Sequence, residues 1–362
     1  MKKILVYGLS SMYGGVEAFI LNYVNYLPED KYNVELVVMN KEPEYLKERL
    51  QRKVTVHVVP ERIKNPVGYS GKANQIIRNG KYDILWCNFC TLTDITWLKA
   101  GTRYKIPVRI AHSHNSENMG GKVVMLTHLQ HKRVIQKYAS HFFACSDIAG
   151  EFMFGKKILR ENNYHMIYNA IETEKYAFCK KVRDKVRTTL GLEGKQVIGN
   201  VGRFHFQKNH SFIIELFNQF HKIHPSSVLM LVGNGELLEE VKTQVQSLGI
   251  SDSVLFMGSR RDVNELVQGM DLLLMPSKFE GLPVSAIEAQ AAGLPCLFSD
   301  AVTDQVKIAE AVKFESLDAP AEKWIEDMEA LLQTPRENTS QMVVAAGYDI
   351  KENAGHIFER CV

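Results

Sequence analysis

Residues 271–300, DLLLMPSKFEGLPVSAIEAQAAGLPCLFSD, limit the possible folds of this 362-residue chain most tightly. Leu272 to Met275 form a short continuous apolar run, the pattern of a strand buried on both faces. Pro276, Gly281 and Pro283 break the chain into a loop, and the spacing from Val284 to Ala292 predicts a helix. Gly293 and Pro295 stop that helix, and Cys296 to Phe298 start another apolar strand. A strand, loop, helix, strand unit of this kind belongs to a parallel sheet, which binds ligands beyond the C-terminal ends of its strands.

The same alternation runs through the whole chain. Strands are predicted at Lys3–Tyr7, Val34–Met39, Val54–Val59, Ile84–Cys87, Val108–Ala111 and His141–Cys145, with amphipathic helices between them. The charged stretch from Glu172 to Gly194 reads as a linker with a short helix. Strands resume at Val197–Val201, Val228–Val232 and Val254–Met257. A chain of this length exceeds one ordinary core and suits two domains. The predicted fold is therefore α/β, with two Rossmann-like, doubly wound parallel sheets, one over 1–172 and one over 173–345. The tail from Ile350 to Cys361 is predicted to be helical.

Several residues at predicted strand ends carry chemistry. Glu280 precedes the Val284 helix and Glu288 lies about one turn inside it, eight residues later, so both can face a ligand over the helix end. The unpaired first-turn amides there suit a phosphate. A solvated helix residue and a loop acid would give the same letters. Arg203 ends the Val197 strand and Lys208 follows five residues on, offering a planar fork and a point charge to a diphosphate. As isolated basic residues they would be ordinary surface charges. Gly14 and Gly15 open a helix after the first strand but do not form GxGxxG, which disfavours hydride chemistry. His112 and His114 share one strand face at the end of VRIAHSHN, where a pair of hydrogen-bonded structural histidines would look the same.

The Glu280-x7-Glu288 spacing within PSKFEGLPVSAIEAQAAGLP, together with VGRFHFQKNH at 201–210, resembles retaining GT-B glycosyltransferases of the family-4 type (glycosyl transferases group 1). The HSHN and ACSDIAGEFMFG stretches resemble members that build capsular polysaccharide and exopolysaccharide. The resemblance implies two Rossmann-like domains facing across a cleft, an acceptor-binding first domain and a sugar-nucleotide-binding second one. It also implies a last segment, 346–362, crossing back to the first domain. The donor site it implies comprises Gly14, Gly15, Arg203, Lys208, Gly258, Glu280, Gly281, Leu282 and Glu288. Of these, Arg203 and Lys208 would hold the diphosphate, Glu288 the ribose and Glu280 the sugar hydroxyls. Gly258, in Gly258-Ser259-Arg260-Arg261, would offer backbone contacts to the base, with Gly233–Glu236 shaping the same pocket. His114, with His112 second, matches the acceptor-side catalytic histidine. Tyr168-Asn169-Ala170 departs from the family pattern, in which glycine usually stands where Ala170 does.

The implied reaction moves a sugar, with retention, from a nucleotide-diphosphate sugar to a hydroxyl of a lipid-linked saccharide. UDP is the expected nucleotide. A GT-B sugar-nucleotide epimerase or hydrolase, and a non-catalytic sugar-nucleotide-binding subunit, stand as alternatives. No DxD pair appears in a suitable loop, so no metal and no cofactor is expected. Cys87-x2-Cys90 lacks a second ligand pair at zinc spacing, and the six cysteines read as reduced thiols of a cytosolic protein. Residues up to Lys175 carry a net charge of +9 and the remainder −6. The basic first half and the acid-free helix KVVMLTHLQHKRVIQK suggest peripheral contact with the anionic inner face of the plasma membrane. In that helix Val123, Leu126, Leu129, Val134 and Ile135 give an apolar face, which in an ordinary surface helix packs inward. Nucleic acid is not an expected partner.

Overall fold

The computed structural model describes every residue except 116–119, 281 and 362. The chain divides into two compact units, one of residues 1–170 with 350–362, the other of residues 171–349.

The first unit contains a seven-stranded parallel sheet: β1 (Lys2–Tyr7), β2 (Tyr32–Met39), β3 (Thr55–Val59), β4 (Ile84–Phe89), β5 (Val108–Ser113), β6 (His141–Ala144) and β7 (Tyr164–Met166). Its order is β3-β2-β1-β4-β5-β6-β7, so the winding reverses between β1 and β4. Residues Ile84 to Phe89 are all buried, as a central strand covered by helices on both faces requires. The Gly15–Tyr26 helix packs Phe19, Ile20, Tyr23 and Val24 on one face of the sheet. The C-terminal Ile350–His356 helix packs against that same helix, placing Ile350, Ala354, Ile357 and Phe358 in this unit's core.

The second unit repeats the plan with six parallel strands: β8 (Gln196–Val201), β9 (Ser227–Val232), β10 (Val254–Gly258), β11 (Leu272–Met275), β12 (Cys296–Ser299) and β13 (Val312–Glu315). The order β10-β9-β8-β11-β12-β13 again reverses at its middle, between β8 and β11. Each sheet is thus doubly wound and Rossmann-like, as predicted. The helix predicted after β11 spans Val284–Ala291. β7 and β13 were not predicted; both are edge strands of three and four residues with polar side chains among the apolar ones.

The Lys122–Val134 helix turns most of its apolar face outward: Val123, Leu126 and Leu129 are 79, 59 and 41% exposed. The helix instead buries His128, whose Nδ1 accepts a hydrogen bond from the Leu92 amide. The adjoining turn buries Ile135. Periodicity groups residues on a face but does not say which face meets the core.

Candidate functional site

The reversal point of a doubly wound sheet leaves a crevice at its C-terminal edge; Gly14 and Gly15 follow β1, and Arg203, Lys208 and Glu280 follow β8 and β11, beside it, while His112, His114 and Gly258 stand at the C-terminal ends of β5 and β10.

In the first unit, the loop after β1 begins with Gly8 at φ +131, where an added Cβ would fall 2.7 Å from Asn88. The loop ends at Gly14, the N-cap of the Gly15–Tyr26 helix, which has no side-chain cap. Glu17, buried in the first turn, accepts the Ser10 amide at 3.0 Å and ties the loop to the helix. An added Cβ at Gly15 would meet no neighbour within 4 Å, so the fold itself does not demand glycine there. The predicted pair His112 and His114 lies at the end of β5, their rings stacked at 4.2 Å. Phe19 packs edge-on to both.

Hydrogen bonding distinguishes the two histidines. His112 is fully buried, and its Nδ1 accepts from the Trp86 indole at 3.1 Å, so Nε2 carries the proton of the neutral ring. Asn88 Nδ2 donates to the Tyr7 carbonyl at 3.1 Å, which turns Asn88 Oδ1 toward His114 Nε2 at 2.8 Å. That contact puts the proton on His114 Nε2 and leaves its Nδ1 as a lone-pair acceptor. Burial pushes His114 down to about 3 and, with His114 beside it, pushes His112 well below the ordinary value. Both rings are therefore neutral at physiological pH, and His114, the less buried of the two, is the one able to meet a ligand.

In the second unit, β8 leads to Gly202 and Arg203. Gly233, at φ +146 after β9, lies so close that an added Cβ would fall 1.9 Å from the Gly202 carbonyl oxygen. The two turns consequently touch, and Arg203 pairs with Glu236 at 3.0 Å. His205 lies 3.5 Å from the same carboxylate. The 3-10 turn Phe206–Lys208 then crosses to the loop after β11. Lys208 Nζ stands 2.5 Å from Glu280 Oε1, with side chains only 15 and 8% exposed. Gln207 Nε2 donates to Glu280 Oε2 at 3.1 Å and to the Phe279 carbonyl at 2.9 Å. The Glu280 backbone is held by the Ala301 carbonyl at 3.3 Å and by a parallel bridge to Val302.

Glu288 lies in the Val284–Ala291 helix and accepts from the Tyr176 hydroxyl at 2.6 Å. Burial raises its pKa, and the Tyr176 bond opposes that rise. The N-cap of this helix, Pro283, has no side-chain cap, and Leu282 is buried. Gly258, at φ +67 at the end of β10, accepts the Gly233 amide at 2.9 Å and has open space where a Cβ would stand. Gly281 lies outside the described residues. The structure thus brings Lys208 to Glu280, links the Arg203 and Gly258 turns through Gly233, and binds Glu288 to Tyr176 rather than to Glu280. Gln207, Tyr176 and Asn88 were not predicted, and Glu236 was predicted only as the end of the Gly233–Glu236 turn, not as the partner of Arg203; Gln207, beside Lys208, had a neighbour in sequence to suggest it. Among the described residues no group of three or more His, Cys, Asp or Glu side chains could hold a metal ion.

His210 begins the His210–Ile223 helix, 2% exposed and stacked on Phe204 with ring centroids 4.1 Å apart. Burial, aided by Lys208, pushes it down from 6.5 to about 4. The unfolded chain therefore takes up this proton at higher pH than the folded one. The contribution is intact above 6.5 and is lost as pH falls toward 4, by up to about 1.4 kcal/mol per unit. His210→Phe keeps the stacking and removes the titration, so its melting temperature should fall less steeply over that interval than the wild type's. Scanning calorimetry at several pH values measures the difference, and parallel profiles would refute it.

Two family models match the chain in succession: Glycosyltransferase Family 4 over residues 13–175 and Glycosyl transferases group 1 over residues 182–348. The putative glycosyltransferase EpsF of Bacillus subtilis is 29% identical over 94% of this chain and 91% of its own. The UDP-Gal:alpha-D-GlcNAc-diphosphoundecaprenol alpha-1,3-galactosyltransferase of Escherichia coli is 25% identical over 81% of this chain and 78% of its own. Among solved structures, Anabaena HepE in complex with UDP-glucose superposes with a TM-score of 0.80 at 20% identity, over 100% of this chain and 99% of that one. With two successive domain matches on two Rossmann-like sheets of the same winding, the chain belongs to the GT-B glycosyltransferases that join a family-4 domain to a group 1 domain.

Proposed function

We propose that this glycosyltransferase moves a sugar from a UDP-sugar to a hydroxyl of a lipid-linked saccharide, with retained anomeric configuration and without a divalent metal, in cell-surface polysaccharide synthesis. The observation that carries the reading is the Lys208–Glu280 pair at the reversal point of the second sheet. Charge grows on the diphosphate as the glycosidic bond breaks, so a fixed cation there stabilises the transition state more than the ground state. Lys208 and Arg203 take the phosphates, Glu280 the sugar hydroxyls, Glu288 the ribose, and the Gly258 turn the base. Leu282 brings backbone near the sugar. The acceptor oxygen bonds to the anomeric carbon on the face the phosphate leaves, and the acceptor proton passes to the departing phosphate oxygen. His114 orients hydroxyls through its Nδ1 lone pair.

UDP is favoured because relatives in sequence and structure are named for UDP-galactose use or were solved with UDP and UDP-glucose. The E. coli relative's name gives a diphosphoundecaprenol acceptor. The test is UDP release in EDTA from UDP-galactose or UDP-glucose, with and without a synthetic lipid-diphosphate-linked N-acetylglucosamine, followed by NMR of the product's anomeric proton. Acceptor-dependent release with an α product from an α donor supports the reading. An inverted product, or release indifferent to acceptor, contradicts it.

No described helix is long and apolar enough to cross a membrane. The exposed stripe Val123, Leu126 and Leu129 lies among Lys122, Arg133 and Lys137, on a segment without acids. This face would rest on an anionic bilayer at the cytoplasmic side, its apolar residues in the interface and its cations on the headgroups. Leu126→Asp with Leu129→Asp should reduce co-sedimentation with phosphatidylglycerol vesicles at least tenfold, with the melting temperature nearly unchanged because both sites are exposed. Undiminished sedimentation would exclude this face as the contact.

A further inference from the structure

We infer that Gln207 is a positioning residue for the donor sugar, holding Glu280 in place once Lys208 is engaged by the diphosphate. This rests on the donor-site reading above. The two oxygens of Glu280 meet different residues of one 3-10 turn: Oε1 is ion-paired with Lys208 at 2.5 Å but has no hydrogen-bond partner among the described residues, and Oε2 accepts from Gln207 at 3.1 Å. The two residues differ in what a ligand does to them. A bound diphosphate competes with Glu280 for the Lys208 ammonium, a compact charge on a flexible stem. It has no such claim on Gln207, whose amide also donates to the Phe279 carbonyl at 2.9 Å. Because both partners are acceptors, the amide nitrogen must face them, which fixes the side chain's orientation. The Gln207 bond therefore remains on the carboxylate while the sugar hydroxyls bind, and it keeps that carboxylate from rotating.

The turn does not depend on this side chain for its own position. The Lys278 amide donates to the Gln207 backbone carbonyl at 2.8 Å, and Asn209 Nδ2 donates to the Pro276 carbonyl at 3.1 Å. Phe206 and Phe279 pack with ring centroids 5.8 Å apart. A side chain of the same length without donors should thus leave the two loops joined and remove only the hold on Glu280.

The consequence is selective: Gln207 should matter for the sugar and not for the nucleotide. Calorimetric titration of UDP, UDP-glucose and UDP-galactose into wild type, Gln207→Met and Gln207→Glu separates the two. Gln207→Met is expected to bind UDP within about twofold of wild type. It is expected to bind the sugar nucleotide preferred by wild type about tenfold more weakly, the loss of one hydrogen bond to a charged group. Gln207→Glu, which sets carboxylate against carboxylate, should lose more, and the loss should shrink as pH is lowered. Equal weakening toward UDP and sugar nucleotide would overturn the inference, since the side chain would then only shape the loop; so would no weakening of either. Wild type that bound no sugar nucleotide would overturn the donor-site reading and this inference together, an outcome distinct from both.

Discussion

Lys208→Ala should lower turnover of the donor sugar nucleotide by about a thousandfold, in the upper range for losing a group aimed at developing transition-state charge. Two effects add. The diphosphate loses a cation when its negative charge is growing, and Glu280, only 8% exposed, loses the ammonium 2.5 Å away and is left to the Gln207 amide. Donor affinity should therefore fall together with turnover. Glu280→Gln keeps the shape, leaves Lys208 free for the phosphates and loses the charged acceptor for sugar hydroxyls. Its affinity for UDP alone should hold, while turnover falls about a hundredfold. Steady-state UDP release by the two variants measures both, and wild-type rates in either would contradict the assignment.

Arg336→Ala should strongly destabilise the second unit, although it lies far in sequence from the candidate site. Its guanidinium donates to the carbonyls of Val267, Gln268, Met270 and Ala292, ending the Val263–Gly269 helix and tying it to the residue after the Val284–Ala291 helix. Burial, with Arg183 beside it, pushes Arg336 down to about 9, so it remains charged at neutral pH. Arg183 and Arg187 reach neighbouring carbonyls and share Asp271, so part of the helix end stays satisfied without Arg336. The Val267 and Ala292 contacts have no such substitute among those two arginines. The expected loss is about 3–5 kcal/mol, that of breaking a buried charged network. This corresponds to a melting temperature lower by roughly 10 °C for a unit of this size. A fall of less than about 2 °C by calorimetry would show that the carbonyls find other donors.

The sequence made the two sheets legible because a parallel strand covered on both faces is a continuous apolar run, as in Leu272 to Met275. β7 and β13 escaped because an edge strand is buried less, and YHM and VKFE carry no such run. The Lys122–Val134 helix was legible as a helix but not in its orientation: Leu126 and Leu129 share a face by spacing, and only the structure turns it outward. In the candidate site, Arg203, Lys208 and Glu280 were found as separate charges at strand ends. Their partners were not. Tyr176 stands on the Thr173–Tyr176 helix and Asn88 on β4, and nothing in their local sequence marks them; Glu236 was marked only as the end of the Gly233–Glu236 turn, without its pairing to Arg203. The tautomers of His112 and His114 depend on Trp86 and Asn88, likewise contributed by the neighbouring strand.

The most direct test of the central claim is calorimetric titration of the protein with UDP-galactose and UDP-glucose in EDTA, repeated with Lys208→Ala. Saturable binding to wild type without metal, weakened at least tenfold in the variant, is the predicted result. A wild type that binds neither, or a variant that binds as tightly as wild type, would contradict a donor site built on Lys208 and Glu280.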